Sequence, residues 1–277
     1  MSASPTTAER PLCLVVTAGG TREPIDDVRH VTNVATGTLP AALARAWLAQ
    51  GATVHYMHGP GAALPHQIRS DLQVLPATDD ELRAQLQQVS LMAESWRQRL
   101  ARGTLVLHPV ETAAQATETL ARLSRDLRPD GVACAMAVAD FAPVPVLGKI
   151  ASRKDLLRPS AGAADGLTLH LLPTAKAIDE VKAACPTTFL LGFKLLSRAT
   201  ESVLCAAAAH LAQRSHADLV FANDLADVDA GWRRGLLVDA AGAVLARLDG
   251  GQGPQSAERL ADLLAAELVQ RVRARRP

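Results

Sequence analysis

The chain has 277 residues, enough for one large or two small domains, and its 48% hydrophobic residues can bury a sizeable core. A charged fraction of 21% with a formal net charge of +1 argues against the basic footprint of a nucleic-acid binder. No apolar stretch approaches the ~20 residues of a membrane helix, and the polar segment Met1 to Arg10 lacks the apolar run of a signal peptide, so no membrane partner and a cytoplasmic location are expected.

Leu12 to Thr17 is an apolar run that meets Gly19-Gly20-Thr21, the pattern of a buried strand ending in a glycine turn. A polar loop is expected from Arg22 to about Thr36. Pro40 then opens an alanine-rich helix to about Gln50, as proline does in a first turn. Gly51 ends it, and Thr53 to His58 is the next strand; such a β-loop-α-β unit predicts a parallel, right-handed crossover. A short strand at Leu72 to Leu75 and a long helix over Glu81 to Leu100 follow. Next come a strand at Thr104 to Leu107, a helix at Ala113 to Leu127 and a buried strand at Gly131 to Val138.

The carboxyl-terminal half repeats the alternation. The pattern predicts a helix near Ala175 to Ala184, a strand at Phe189 to Phe193, a helix at Thr200 to Ser215 and a strand at Leu219 to Ala222. Leu236 to Val238 and Ala243 to Arg247 are expected to pair as a hairpin around Gly242. Ser256 is expected to cap a last helix whose Leu260, Leu263, Leu264, Leu268 and Val272 line one face. Alternating strands and helices predict a doubly wound, mainly parallel α/β sheet, with the hairpin and helix closing the chain. The segment Ala142 to Gly166 interrupts the alternation and carries Lys149, Arg153, Lys154 and Arg158. It reads as a long functional loop or flap within a single domain spanning 1–277.

The four cysteines, Cys13, Cys134, Cys185 and Cys205, form no C-x-x-C pair and are expected to be reduced and structural. His55 and His58 fall at a strand end and offer no familiar metal spacing, so the metal ligands are left unassigned.

In open α/β sheets ligands sit at the carboxyl ends of strands, which groups four motifs in one candidate site. Gly19-Gly20-Thr21 would let backbone amides approach a phosphate, or serve as an ordinary tight turn. In Asp26 to Gly37, Arg29 could fork a phosphate or carboxylate. Asn33 could orient an acyl group without competing as a nucleophile, and Thr36-Gly37 could bind phosphate ahead of a helix. A solvated loop is the bland alternative. Asp140, ending a buried strand, could hold ribose hydroxyls or a magnesium-bound phosphate, or merely cap a turn. Lys149 in the loop could close over a triphosphate, unless it is simply solvated. Gly192-Phe193-Lys194 and Ala222-Asn223-Asp224 also follow strands, and Phe193 could stack on a ligand.

In this order the segments resemble the phosphopantothenoylcysteine synthetase family. The residues that carry the resemblance are Thr17 to Asp26 (TAGGTREPID), Val28-Arg29 through Asn33, Ala135 to Phe141 (AMAVADF) and Lys149-Ile150. Leu191 to Leu196 (LGFKLL) and Ala222 to Leu225 (ANDL) complete the set, which spans roughly residues 12 to 230. The GFKLL form is closer to the stand-alone bacterial synthetases than to the version fused to a flavin-dependent decarboxylase. The resemblance implies a Rossmann-like fold and a homodimer. It also implies a ligase of coenzyme A biosynthesis that activates phosphopantothenate with CTP or ATP, with Mg2+ expected, before cysteine attacks through its amine. It further implies that Asn33 holds the activated intermediate, that Arg29 stands near it, and that Lys149 is the flap lysine of nucleotide chemistry. Asp140 then contacts the nucleotide together with Gly19, Gly20, Thr21, Ala135, Phe193 and Lys194, while Thr36, Gly37, Ala137 and Asn223 join Asn33 around the acid substrate.

Two departures stand out. The family usually continues past the asparagine with Ser-Ser-Gly-Lys-Met-Gly, whereas this chain has Ala35-Thr36-Gly37-Thr38-Leu39-Pro40, without the lysine or the second glycine. Residues 79–103 read as an added helical insertion. A paralogue joining a different acid and amine is therefore an alternative. A nucleotide-dependent oxidoreductase on the same fold would want a G-x-G-x-x-G turn and an acidic end to the second strand, where this chain has Gly-Gly-Thr and His58. A non-catalytic nucleotide sensor is the third reading.

Overall fold

A computed structural model describes residues 10–67, 78–150 and 169–276. The chain opens with β1 (Cys13–Ala18), buried from Leu14 onward as expected of a strand covered on both faces. The predicted polar loop folds into a small antiparallel hairpin, β2 (Arg22–Pro24) and β3 (His30–Thr32), with Arg22 opposite Thr32. Helix α1 (Thr38–Ala49) carries Pro40 in its first turn, and Gly51, at φ +83°, ends it. Strand β4 (Thr53–His58) has its predicted bounds. The strand expected at Leu72 to Leu75 lies outside the described residues.

Helix α2 (Asp79–Ala101) begins with a capping box between Thr78 and Glu81, and none of its residues is buried. Then come β5 (Leu105–Pro109) and α3 (Ala113–Leu127), the latter capped by Thr112 and Gln115. Strand β6 (Gly131–Cys134) stops four residues short of the expected Val138, because the next amides turn toward β1. A second unpredicted hairpin, β7 (Phe141–Pro143) with β8 (Leu171–Pro173), brackets the flap, whose residues 151–168 lie outside the described residues. Helix α4 (Asp179–Ala184) is shorter than predicted. Then follow β9 (Phe189–Leu196), α5 (Glu201–Ser215), β10 (Leu219–Asp224) and the one-turn α6 (Leu225–Asp229). Strands β11 (Arg234–Val238) and β12 (Val244–Asp249) form the expected hairpin, and α7 (Ser256–Arg273) closes the described chain.

Two details of α7 correct the sequence reading. Gln255, not Ser256, is the N-cap, and the Ser256 hydroxyl instead donates to the Gly253 carbonyl at 2.7 Å. Leu260, Leu264, Leu268 and Val272 are buried, whereas Leu263, off that i, i+4 row, is 42% exposed.

The sheet runs β5–β4–β1–β6–β9–β10–β11–β12, parallel through β10 and antiparallel beyond it. Alternate residues of β1 divide the core. Leu14 and Val16 pack with α1 and α7 on one face, and Val15 packs with α3, α4 and α5 on the other. This is a Rossmann-like, doubly wound α/β fold. From β1 the chain builds outward through β4 to β5, then returns to the other side of β1 with β6. The winding therefore reverses between β1 and β6, which opens a crevice at their carboxyl ends. Among the described residues no helix is long and apolar enough to cross a membrane.

Candidate active site

The glycine turn after β1 is a point of backbone-to-backbone contact. Gly19 has φ +77°, a Cβ on Gly20 would stand 2.4 Å from the Asn33 carbonyl oxygen, and one on Gly59 would stand 2.0 Å from the Gly20 oxygen. Across the crevice Ala137 pairs with the turn, its amide donating to Gly19 O at 2.8 Å and its carbonyl accepting from Thr21 N at 3.4 Å. Thr17 Oγ1 accepts from the Met136 amide at 2.9 Å, and Thr21 Oγ1 accepts from the Ala139 amide at 3.0 Å. These bonds stitch the segment after β6 to the segment after β1.

Asn33, just past β3, completes the seam: its Nδ2 donates to the carbonyls of Ala137 and Val138, both at 3.4 Å. The residue is exposed. Thr36 is also exposed and shares a 3.0 Å contact with the Thr38 hydroxyl. Gly37, at φ +69°, is the N-cap of α1 and packs against the Gly19 amide, which brings the two glycine segments together.

Between the carboxyl ends of β6 and β9 lies a cavity of about 260 Å³, lined by Met136 to Asp140, Ala175 to Ile178, Phe193, Lys194 and Arg214. The Asp140 carboxylate is exposed and ion-pairs with Lys176. Phe193 is held by a tilted contact with Phe221, ring centroids 5.7 Å apart. Lys176, Lys194 and Arg214 give the cavity a cationic border, although Arg214 also pairs with Asp179 at 3.0 Å. The cavity thus gathers Ala137, Asp140, Phe193 and Lys194 from the sequence reading. Lys176 and Arg214 were missed: the helix predicted from Ala175 absorbed the first, although the basic residue after Pro173 was a usable signal. Ala135 sits at the end of β6 next to this lining but is not part of it. Asn223 lies in another cavity, of about 380 Å³, beside Asp224, whose carboxylate accepts from the amides of Arg198, Ala199 and Ala226.

The base of the flap is anchored to the β2–β3 hairpin. Asp26 is fully buried and accepts from the amides of Val28 (2.9 Å), Arg29 (2.8 Å) and Ile150 (3.0 Å). It also accepts from Arg29 Nη1 at 2.5 Å, and the same nitrogen donates to Ile150 O at 3.2 Å. Desolvation pushes the Asp26 carboxyl upward, but these hydrogen bonds outweigh it and hold the pKa at about 2. Two backbone bonds, Val146 N to Ile25 O (3.0 Å) and Asp27 N to Gly148 O (3.3 Å), complete the grip. Arg29 is therefore engaged with the flap backbone, and Lys149, exposed and without a hydrogen bond to a described residue, is carried between two gripped neighbours.

The chain is similar to known proteins in sequence and in fold. Residues 11–95 match the family described as DNA/pantothenate metabolism flavoprotein, C-terminal domain, a match that ends within α2. The chain is 28% identical over 212 residues to the coenzyme A biosynthesis bifunctional protein CoaBC of Thermococcus kodakarensis, covering 76% of this chain and 41% of the relative. It is 30% identical over 219 residues to the corresponding protein of Bacillus subtilis, covering 79% and 42%. The chain thus spans less than half the length of the curated relatives it matches. Among solved structures, the DNA/pantothenate metabolism flavoprotein from Streptococcus pneumoniae superposes with a TM-score of 0.66 at 23% identity, over 96% of this chain and 100% of that one. A Cab2 variant in complex with phosphopantothenate-cysteine superposes with a TM-score of 0.72 at 20% identity, over 95% and 87%. In sequence the chain is similar to part of these bifunctional coenzyme A biosynthesis proteins, and in fold to the solved structures named above.

Proposed function

We propose that the chain is a carbon–nitrogen ligase that couples 4'-phosphopantothenate to cysteine through an acyl-nucleotidylate. The observation that carries this reading is the seam at the switch point, where Asn33 bridges to the carbonyls of Ala137 and Val138. An asparagine fixed there supports an acyl group without offering a nucleophile. In the first step a carboxylate oxygen of the acid attacks the α-phosphorus, and pyrophosphate leaves with the electron pair of the broken P–O bond. In the second the cysteine amine attacks the acyl carbon, the nucleoside monophosphate leaves and the amine gives up a proton.

The nucleotide, CTP or ATP, fits the cavity with Phe193 toward its base and the cationic border of Lys176 and Lys194 toward its phosphates. Mg2+ needs only one or two carboxylates when substrate phosphates supply its other ligands, and Asp140 at the cavity rim suits that role. Lys149 on the anchored flap supplies charge to the transition state. A homodimer is supported by the apolar residues left exposed around the two hairpins, among them Phe141 (54%), Val146 (52%) and Leu147 (98%). Sedimentation of a fully active monomer would refute it.

A second reading, amide ligation of a different acid and amine, is favoured by the segment Ala35 to Pro40, which lacks the family's lysine. Pyrophosphate release tests both. Continuous, multiple-turnover release that requires both phosphopantothenate and cysteine supports the first reading, and comparison of CTP with ATP names the nucleotide. Release with another acid–amine pair alone supports the second, and none with any pair overturns both.

A further inference from the structure

A third groove, of about 620 Å³, lies at the carboxyl ends of β4 and β5, on the opposite side of the glycine turn from the nucleotide cavity. Arg22 and Glu111 both line it. The Arg22 amide donates to the Glu111 carbonyl at 2.8 Å, so the two residues are neighbours through their backbones. Their side chains nonetheless form no ion pair with each other, and among the described residues neither charged group has a hydrogen bond or ion-pair partner. The Arg22 guanidinium lies over Gly61, with Nη2 4.0 Å from where a Cβ would stand. Ala62, Leu64 and Val110 supply apolar wall, and His58 borders the groove. A guanidinium and a carboxylate that share a groove without pairing suit a ligand bearing both opposite charges.

We infer that Arg22 and Glu111 bind the α-amino acid substrate, Arg22 taking its carboxylate and Glu111 its ammonium group. This rests on the amide-ligase reading above and names the site of the amine partner. The groove is well placed for that role. Gly59, at its edge, touches Gly20 backbone to backbone, and Arg22 stands opposite Thr32 in the hairpin, one residue from Asn33. An amino acid held by Arg22 is thus bound from the hairpin that leads directly into Asn33. The apolar wall leaves room for a small side chain such as that of cysteine.

The test separates the carboxylate from the amine. With phosphopantothenate and nucleotide saturating, cysteine is compared with cysteamine, which has the amine and thiol but no carboxylate. Arg22→Gln is expected to raise the KM for cysteine by about 10- to 100-fold, the loss of one charge-assisted contact, and to leave the KM for cysteamine unchanged. Glu111→Gln is expected to raise both. Among the described residues neither charged group has a hydrogen bond or ion pair to lose, so both substitutions are expected to leave the melting temperature unchanged. An unchanged KM for cysteine in Arg22→Gln, or an equal rise for cysteamine, overturns the inference. If the wild type makes no product from phosphopantothenate and cysteine, the ligase reading fails, and calorimetry with L-cysteine alone then decides the site. Binding that weakens in Arg22→Gln sustains it, and absence of binding to the wild type overturns it.

Discussion

Asp26 joins two segments that lie far apart in sequence. Its Oδ2 accepts from Ile150 N and from Arg29, so in Asp26→Asn the amide –NH2 placed there would confront two donors. The expected result is a released flap base, faster proteolysis near residue 150 and slower turnover with an intact sheet. The linkage has a defined sign. The folded pKa of about 2 is depressed below the ordinary 3.8, so the contribution is present above pH 3.8 and is lost as pH falls through about 2. Melting temperatures of wild type and Asp26→Asn should therefore converge as pH falls through that window, and parallel curves would show that the carboxylate does not anchor the flap. Lys149 makes the complementary case. Lys149→Gln keeps length and polarity but deletes the charge, and is expected to slow acyl-nucleotidylate formation by about 10²–10³-fold with little change in substrate binding. A normal single-turnover burst would assign the role elsewhere.

At the scale of elements, α7 tells apart two adjacent leucines that a hydrophobic count treats alike. Leu264 is fully buried and Leu263 is 42% exposed. Leu264→Ala should cost about 2–5 kcal/mol in denaturant unfolding, and Leu263→Ala no more than about 0.5 kcal/mol. Equal effects would mean that the helix sits with a different face inward. The contrast marks where periodicity is legible. β4 and α3 have the bounds that their patterns predict, because long regular runs report directly on burial. The hairpins β2–β3 and β7–β8 are invisible in the same way, since three-residue strands carry too few alternations and both are fixed by pairing across sequence. The site divides similarly. The motifs read after predicted strands pointed to Asp140, Phe193 and Lys194, which line one cavity, but Lys176 comes from an irregular segment, and the bond of Asp26 to Ile150 joins residues 124 apart. The sequence reading gave Arg29 as a candidate fork for a phosphate or carboxylate, while its hold on the flap backbone was not legible.

Across the whole molecule, the edge of the sheet carries a pH response of its own. His55 Nδ1 and His108 Nε2 lie 3.0 Å apart on β4 and β5, with the rings stacked. Burial first, then His55, Arg122 and His58, push the His108 pKa down to about 4. The ring is therefore neutral in the fold and charged more readily in the unfolded chain. Stability from this group is complete above pH 6.5 and declines as pH falls toward about 4. His108→Gln should flatten the stability profile over that window while leaving ligation at neutral pH unchanged, and an unaltered profile would remove the pair from the account.

At the opposite edge of the strands, Arg276 donates to the carbonyls of Arg10 (2.8 Å) and Pro11 (3.1 Å), and Asp130 receives the guanidinium groups of both Arg10 and Arg276. The two ends of the described chain are thus clasped around one carboxylate at the amino end of β6. Such a clasp makes the order of the elements along the polypeptide separable from their arrangement in space. A short linker could join the region of Arg276 to that of Arg10, and the chain could be cut instead at the exposed turn near Ala241 between β11 and β12. The circular permutant should fold with the same sheet order, and its crevice between β1 and β6 would then be assembled from a sequence that begins at the far side of the sheet.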